Sequence, residues 1–358
     1  MTTISYPPKP SPGDRIAVIS PGAGLPGLFP RPFELGLERL RKEYGLEPVE
    51  YPTTRTMGAT PQDRAADVNA AFADPDVKVV MASIGGDDQL TVLPFLDREL
   101  IRANPKPFFG MSDNTNLLAY LYNTGIVGYH GATVMTALGR PVAMDALTQD
   151  SLRAALFTSG EYELRPAERW NDVDRDWADP ATFEAEPPSR PGTGWTWTNA
   201  DRVVEGRSWG GCLEILGWLL MADREIAHDL SRYDGGVLLL ETSEELPSSE
   251  EVFRTLRNMG ERGLLQRFSA LLMGRPKTWT SSAPTARRRP TVTPPDSARR
   301  SCARCGRTPP TPRSSSTWTS VTPARSWSSP TAVSYGSTAR PGASPSRTDA
   351  EPPPPRAP

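Results

Sequence analysis

The sequence predicts an α/β protein: a doubly wound parallel-sheet domain followed by a smaller C-terminal α/β domain. Three observations predict it. Apolar runs such as RIAVIS at 15–20 and VKVVMASI at 77–84 alternate with stretches of helical spacing, the pattern of βαβ units whose strands are buried on both faces. Residues 160–205 break this alternation with a segment rich in Pro, Trp, Asp and Arg. The alternation then resumes from Gly206 to Met273. The boundaries follow as 1–160, a linker and Trp-bearing loop over 161–205, a domain over 206–279, and a tail over 280–358.

Taken in order, residues 15–22 form a buried strand ending in Pro-Gly. Residues 31–45 place Phe33, Leu37, Leu40 and Tyr44 on one helical face and stop near Gly45. A strand follows near Glu47–Tyr51, a helix over Asp63–Ala73, and a strand over 77–84 running into Gly85-Gly86-Asp87-Asp88. Residues 91–103 read as helix. KPFFG at 106–110 is a strand end, and Asn114–Tyr120 opens an amphipathic helix. In the second domain, GRSWGGCLEILGWLLMA reads as a Gly-rich turn entering a helix with Leu213, Leu216, Leu219 and Leu220 inward. Gly235–Leu240 is a very apolar strand, Ser248 to Glu251 has capping-box character for the helix Val252–Met259, and Phe268–Met273 is a further strand.

Ser112 sits on the turn between strand and helix in KPFFGMSDNTNLLAY. This is a strand–turn–helix nucleophile site in all but the last glycine of G-x-S-x-G. The turn exposes the hydroxyl, and the helix N-terminus aims unpaired N–H groups at an oxyanion formed there. The alternative is an N-cap serine that satisfies helix-end donors. In doubly wound sheets, ligands bind beyond the carboxyl ends of the strands, where both Gly85-Gly86 and Ser112 fall. Glu241 stands at the end of an apolar strand and is either a solvated residue or the carboxylate that orients an imidazole. Trp195 and Trp197 either cover a ligand or pack onto their own domain.

The totals exclude several classes. The 358 residues carry a formal net charge of −2, which gives no reason to expect nucleic acid or an anionic membrane as partner. The N-terminus lacks a basic region followed by an apolar one, and no apolar run approaches a membrane span, so the expected location is cytoplasmic. Three cysteines, Cys212, Cys302 and Cys305, do not make a disulfide framework, and the lone C-x-x-C does not make a zinc site. No metal and no cofactor are expected.

These pieces together resemble the LD-carboxypeptidase and microcin C immunity (MccF-type) family of serine carboxypeptidases. The matching segments are PGDRIAVISPGAG, SIGGDDQ at 83–89, KPFFGMSDNTNLL at 106–118, Trp-Gly-Gly at 209–211, and GGVLLLETSEE at 235–245. The resemblance covers about residues 9–277, and the IGGDD form with the Trp-bearing loop is closer to the microcin-immunity branch. It implies a Ser–Glu–His triad in that chain order, with Ser112 the nucleophile in an N-terminal nucleophile domain and Glu241 the orienting acid. It implies oxyanion donors in the N–H groups of Gly86 and Asp113, a small peptide or peptidyl-nucleotide substrate, and a homodimer.

The family's histidine lies well after the glutamate, in a Gly-His pair following a strand. This chain has two histidines, His130 and His228, and both precede Glu241. His130 follows a strand of the nucleophile domain and is a weak stand-in base; His228 reads as a surface residue. Without a base, a serine hydroxyl is a poor nucleophile at neutral pH, so the chain as written is expected to be inactive, or else a non-catalytic ligand-binding member of the family. From Gly274 to the end there is no Leu, Ile, Phe or His, a composition of a disordered tail or of a frameshift. A basic nucleic-acid-binding tail is the weakest reading, because the arginines lack a helical or aromatic-interleaved pattern. Back-translation with codons ending mainly in G or C, read from each third base, turns residues 298–310 into roughly RATVLRAVRAYAP and 312–322 into roughly APVVLDLDLGH. The second is an apolar strand ending in Gly-His. One base lost between roughly Lys277 and Pro284 accounts for it.

Overall fold

The computed structural model describes residues 4–173 and 176–277, together with the backbone of residues 319–322 and 333–334. The first half contributes β1 (Arg15–Ile19), α1 (Pro30–Lys42), β2 (Glu47–Glu50), α2 (Pro61–Ala73), β3 (Val77–Ala82), α3 (Arg98–Ala103), β4 (Phe108–Gly110), α4 (Thr115–Thr124), β5 (Tyr129–His130) and α5 (Ala146–Phe157). The connecting segment holds β6 (Arg169–Trp170), β7 (Arg190–Pro191) and β8 (Thr196–Thr198). The second half has β9 (Ser208–Cys212), α6 (Leu213–Met221), β10 (Gly236–Glu241), α7 (Ser249–Glu261) and β11 (Phe268–Met273), and the two strand fragments are β12 (Thr319–Thr322) and β13 (Val333–Ser334).

One sheet has the order β13-β5-β4-β3-β1-β2, parallel from β5 to β2. The chain runs outward from β1 to β2, returns to β3 beside β1, and continues to β4 and β5. The order therefore reverses between β1 and β3, and the crevice beyond that reversal is where doubly wound sheets place their ligands. The other sheet has the order β8-β12-β11-β10-β9, parallel from β12 to β9. The doubly wound parallel sheet with a second α/β unit is the expected fold.

Alternate residues of β1 face opposite layers. Ile16 and Val18 pack with Phe33, Leu37 and Leu40 of α1, whereas Ala17 and Ile19 join Val68, Phe72, Leu117 and Leu121. The second cluster continues into Trp209, Leu213, Leu216 and Tyr233, so the two sheets share a core across α4 and α6. The capping box at Ser248 and Glu251 is present, with each residue accepting from the other's backbone N–H.

Two local readings are corrected. Residues 91–103 are not one helix: two short 3-10 turns, Gln89–Thr91 and Leu93–Phe95, precede α3. Asp97 is the reason the helix starts late, because its side chain accepts from Leu100 N at 2.9 Å as an N-cap. The stretch SWGGC is a strand, not a turn. Gly210 has φ +143°, and a Cβ there would lie 1.8 Å from the carbonyl oxygen of Leu239, so glycine is what lets β9 press onto β10. The expectation for residues after 280 falls outside the described residues, apart from the two strand fragments. Among the described residues, no helix is long and apolar enough to cross a membrane.

Gly210→Ala is expected to destabilise the protein by about 2–3 kcal/mol through overpacking and backbone strain. A urea titration followed by tryptophan fluorescence checks this; an unchanged midpoint contradicts the close approach.

Candidate active site

The site begins at the turn after β4. Ser112 has φ +56°, the left-handed region that costs a non-glycine residue about 1–3 kcal/mol and recurs at functional turns. Its side chain caps neither the short 3-10 turn Ser112–Asn114 nor α4, so its hydroxyl is not spent on helix-end donors. A Cβ built on Gly85 would lie 3.0 Å from Ser112 Cβ and 3.2 Å from its Oγ. The Gly85-Gly86 turn after β3 thus faces the serine directly. Gly86 in turn lies against Gly22 at the end of β1, where an added Cβ would sit 2.8 Å from the Gly22 carbonyl carbon. The ends of β1, β3 and β4 therefore converge, with Ser112, Gly86 and Asp113 in one place.

Asp113 is fully buried. Its Oδ2 accepts from Gln89 N at 3.0 Å and its Oδ1 from Asn116 Nδ2 at 2.8 Å. Burial pushes its carboxyl pKa up to about 7, opposed by the Gln89 N–H and reinforced by the charges of Asp88 and Asp87. Arg64 holds Asp88 through two bonds of 2.6 and 2.9 Å and also donates to the carbonyls of Pro21 and Gly22.

The second sheet brings Glu241 to the same region. It ends β10 opposite Cys212, and Cys212 N donates to Thr115 Oγ1 at the start of α4 at 3.0 Å. Glu241 Oε1 lies 3.0 Å from His130 Nε2. His130 is paired across the ladder with Gly110, two residues before Ser112. The imidazole read as a weak stand-in thus sits on the carboxylate expected to orient the base. His228 lies on the surface with Asp223, 3.0 Å away. Burial, with Glu241 and Glu214 nearby, raises the Cys212 thiol pKa, which keeps it protonated and unreactive.

The indoles of Trp195 and Trp197 meet edge to face at 6.0 Å. Trp197 lies in β8 and Trp195 immediately before it, at the edge of the second sheet three strands from β10. Among the described residues, no cluster of three or more His, Cys, Asp or Glu side chains is arranged to hold a metal. Sequence reasoning missed Arg64, Gln89 and Asn114. SIGGDDQ carried Gln89 in plain view, but nothing local marked it as a partner of the serine turn.

A doubly wound sheet with a strained serine facing a Gly-Gly turn at its switch point, and a strand-end carboxylate from a second sheet, defines a serine-hydrolase architecture. The chain belongs to the LD-carboxypeptidase family: residues 16–131 match the model of that family's N-terminal domain and residues 205–294 the model of its C-terminal domain. It is a member of a serine-type carboxypeptidase family by both criteria of sequence and fold. A candidate carboxypeptidase of Streptomyces coelicolor is 30% identical over 81% of this chain and 83% of its own. The microcin C7 self-immunity protein MccF of Escherichia coli is 32% identical over 46% of this chain and 50% of its own. Among solved structures, an MccF-like protein from Streptococcus pneumoniae in complex with AMP matches with TM-score 0.75, at 24% identity over 92% of this chain and 96% of that one. MccF in complex with glutamyl sulfamoyl guanosine matches with TM-score 0.73, at 22% identity over 93% and 94%.

Asp113 fixes the sign of one pH effect. Its folded pKa is raised from 3.8 to about 7, so ionising it costs the folded state. The contribution of Asp113 to stability is most favourable below about pH 4, falls as pH rises to about 7, and levels off above, by on the order of 4 kcal/mol. Asp113→Asn is expected to remove this slope. Chemical denaturation at pH 5 and pH 8 measures it; equal slopes in both proteins contradict the assignment.

Proposed function

We propose that this chain derives from an acyl-enzyme amide hydrolase that removes a C-terminal residue or group. Ser112 Oγ attacks the carbonyl carbon while an imidazole takes its proton. The N–H groups of Gly86 and Asp113 hold the oxyanion, and collapse expels the amine, which leaves with the proton from the imidazole. Water then hydrolyses the acyl ester by the same steps. Glu241 orients the imidazole. The observation that carries the reading is Ser112 itself: a strained serine with an uncommitted hydroxyl facing Gly85-Gly86.

The imidazole of that triad is absent after Glu241 in the chain as written, and we place it in the other reading frame. What supports this is the shifted-frame reading of residues 312–322, an apolar strand ending in a Gly-His pair, the context in which the family carries its base. The second reading is a ligand-binding protein without turnover, favoured by the missing histidine and by His130 resting on Glu241.

The substrate classes are the L,D bond of a murein tetrapeptide and the amide of a peptidyl nucleotide. The second is preferred, because the indole pair on β8 suits stacking on a nucleobase and MccF-type structures hold AMP and sulfamoyl nucleosides. A homodimer remains the expected assembly.

Sequencing the gene across codons 270–290 is the first test, followed by expression of the protein with one base restored. The restored protein is expected to cleave an aminoacyl sulfamoyl adenosine or a murein tetrapeptide, Ser112→Ala to abolish cleavage, and the chain as written to be slower by at least about 10³-fold. Robust cleavage by the chain as written, lost in Ser112→Ala, sinks the frameshift reading. Calorimetry with AMP separates the branches: binding weakened about tenfold by Trp197→Ala supports the nucleotide branch, and no binding favours murein peptides.

A further inference from the structure

Asp113 is a fully buried carboxyl immediately after Ser112, a costly group to bury unless its bonds do something. It does not cap α4, whose N-cap is Asn114 with no side-chain cap bond. Its carboxylate instead reaches a loop 24 residues earlier in the chain, accepting from Gln89 N at 3.0 Å. The same loop is held at three further points. Asn114 Nδ2 donates to Ile84 O at 3.0 Å, Gln89 Nε2 donates to Asn114 Oδ1 at 3.0 Å, and Leu117 N donates to Gln89 Oε1 at 3.1 Å. From the β1 side, Ala23 N donates to Gly85 O at 3.1 Å. The segment Ile84–Gln89 is thus tied at both ends to the residues that follow Ser112, with Gly86 suspended between the ties.

The geometry has a purpose if Gly86 N–H must stay unpaired. A backbone N–H that is to meet a transient oxyanion cannot be fixed by a ladder bond of its own. Its position must be set through its neighbours, to within about half an ångström. We propose that the Asp113 side chain, with Gln89 and Asn114, is the positioning device that sets Gly86 N–H against Asp113 N–H. This rests on the nucleophile and oxyanion roles proposed above. One residue then supplies one donor from its backbone and places the other through its carboxylate. The burial that pushes the Asp113 pKa up to about 7 also keeps part of the population neutral at pH 7. That limits repulsion of a neighbouring oxyanion by the carboxylate.

Hydrogen exchange on the full chain tests the positioning half without any need for turnover. Asp113→Ala is expected to speed exchange of the Gln89 and Ala23 amides at least tenfold while the amides of β1 and α1 change less than twofold. Asp113→Asn, which keeps the side-chain volume and one acceptor, is expected to fall between; it serves where the alanine variant fails to fold. In the protein with the base restored, Asp113→Ala is expected to lower kcat about 10²–10³-fold, the loss seen when an oxyanion donor is removed, with KM within threefold. Unchanged exchange at Gln89 and Ala23, or a rise in KM with kcat kept, overturns the inference. Turnover that survives Ser112→Ala overturns the nucleophile assignment, and with it the catalytic half only.

Discussion

The constraint on which the site depends is the tie between two loops that cannot hold each other by backbone ladders. The ends of β3 and β4 approach each other closely, with Gly85 against Ser112. Side chains therefore make the connections: Asp113 and Asn114 from one loop, Gln89 from the other. Arg64 adds a brace from α2, donating to the Pro21 and Gly22 carbonyls and to Asp88. A buried polar network of this kind is rigid because each unmade bond in it is expensive. The strained Ser112 backbone survives because the network and the α4 packing over-determine it.

The second sheet matters because it brings a carboxylate to that rigid centre. Its strand β10 is apolar to its last residue, so Glu241 emerges where the buried run ends. Gly210 lets β9 pack close to β10, and Cys212 N ties the end of β9 to Thr115. A continuous apolar core through Trp209, Leu216 and Leu117 joins the two units. His130 then reaches Glu241 from the first sheet.

The chain's amino acids, read alone, determined whatever is written in short-range order. The runs RIAVI and VKVVMA are strands because a largely apolar stretch of that length is buried on both faces, and FSALLM is a strand that is only partly covered. α1 is a helix because Phe33, Leu37 and Leu40 recur at its period, and Ser248 with Glu251 caps α7. The turn at Ser112 was legible because a strand end, a serine and a helix start fall within seven residues. The late start of α3 was not, since Asp97 as N-cap competes locally with an apolar pattern that continues through it. Only the tertiary structure decided that Gln89 belongs to Asp113, that Gly210 faces Leu239, and that His130 rests on Glu241. Those pairs lie far apart along the chain, and no local period or cap records them. They exist because the sheet order brings particular strand ends together, and that order is fixed by the packing of whole layers, not by the residues at the contact.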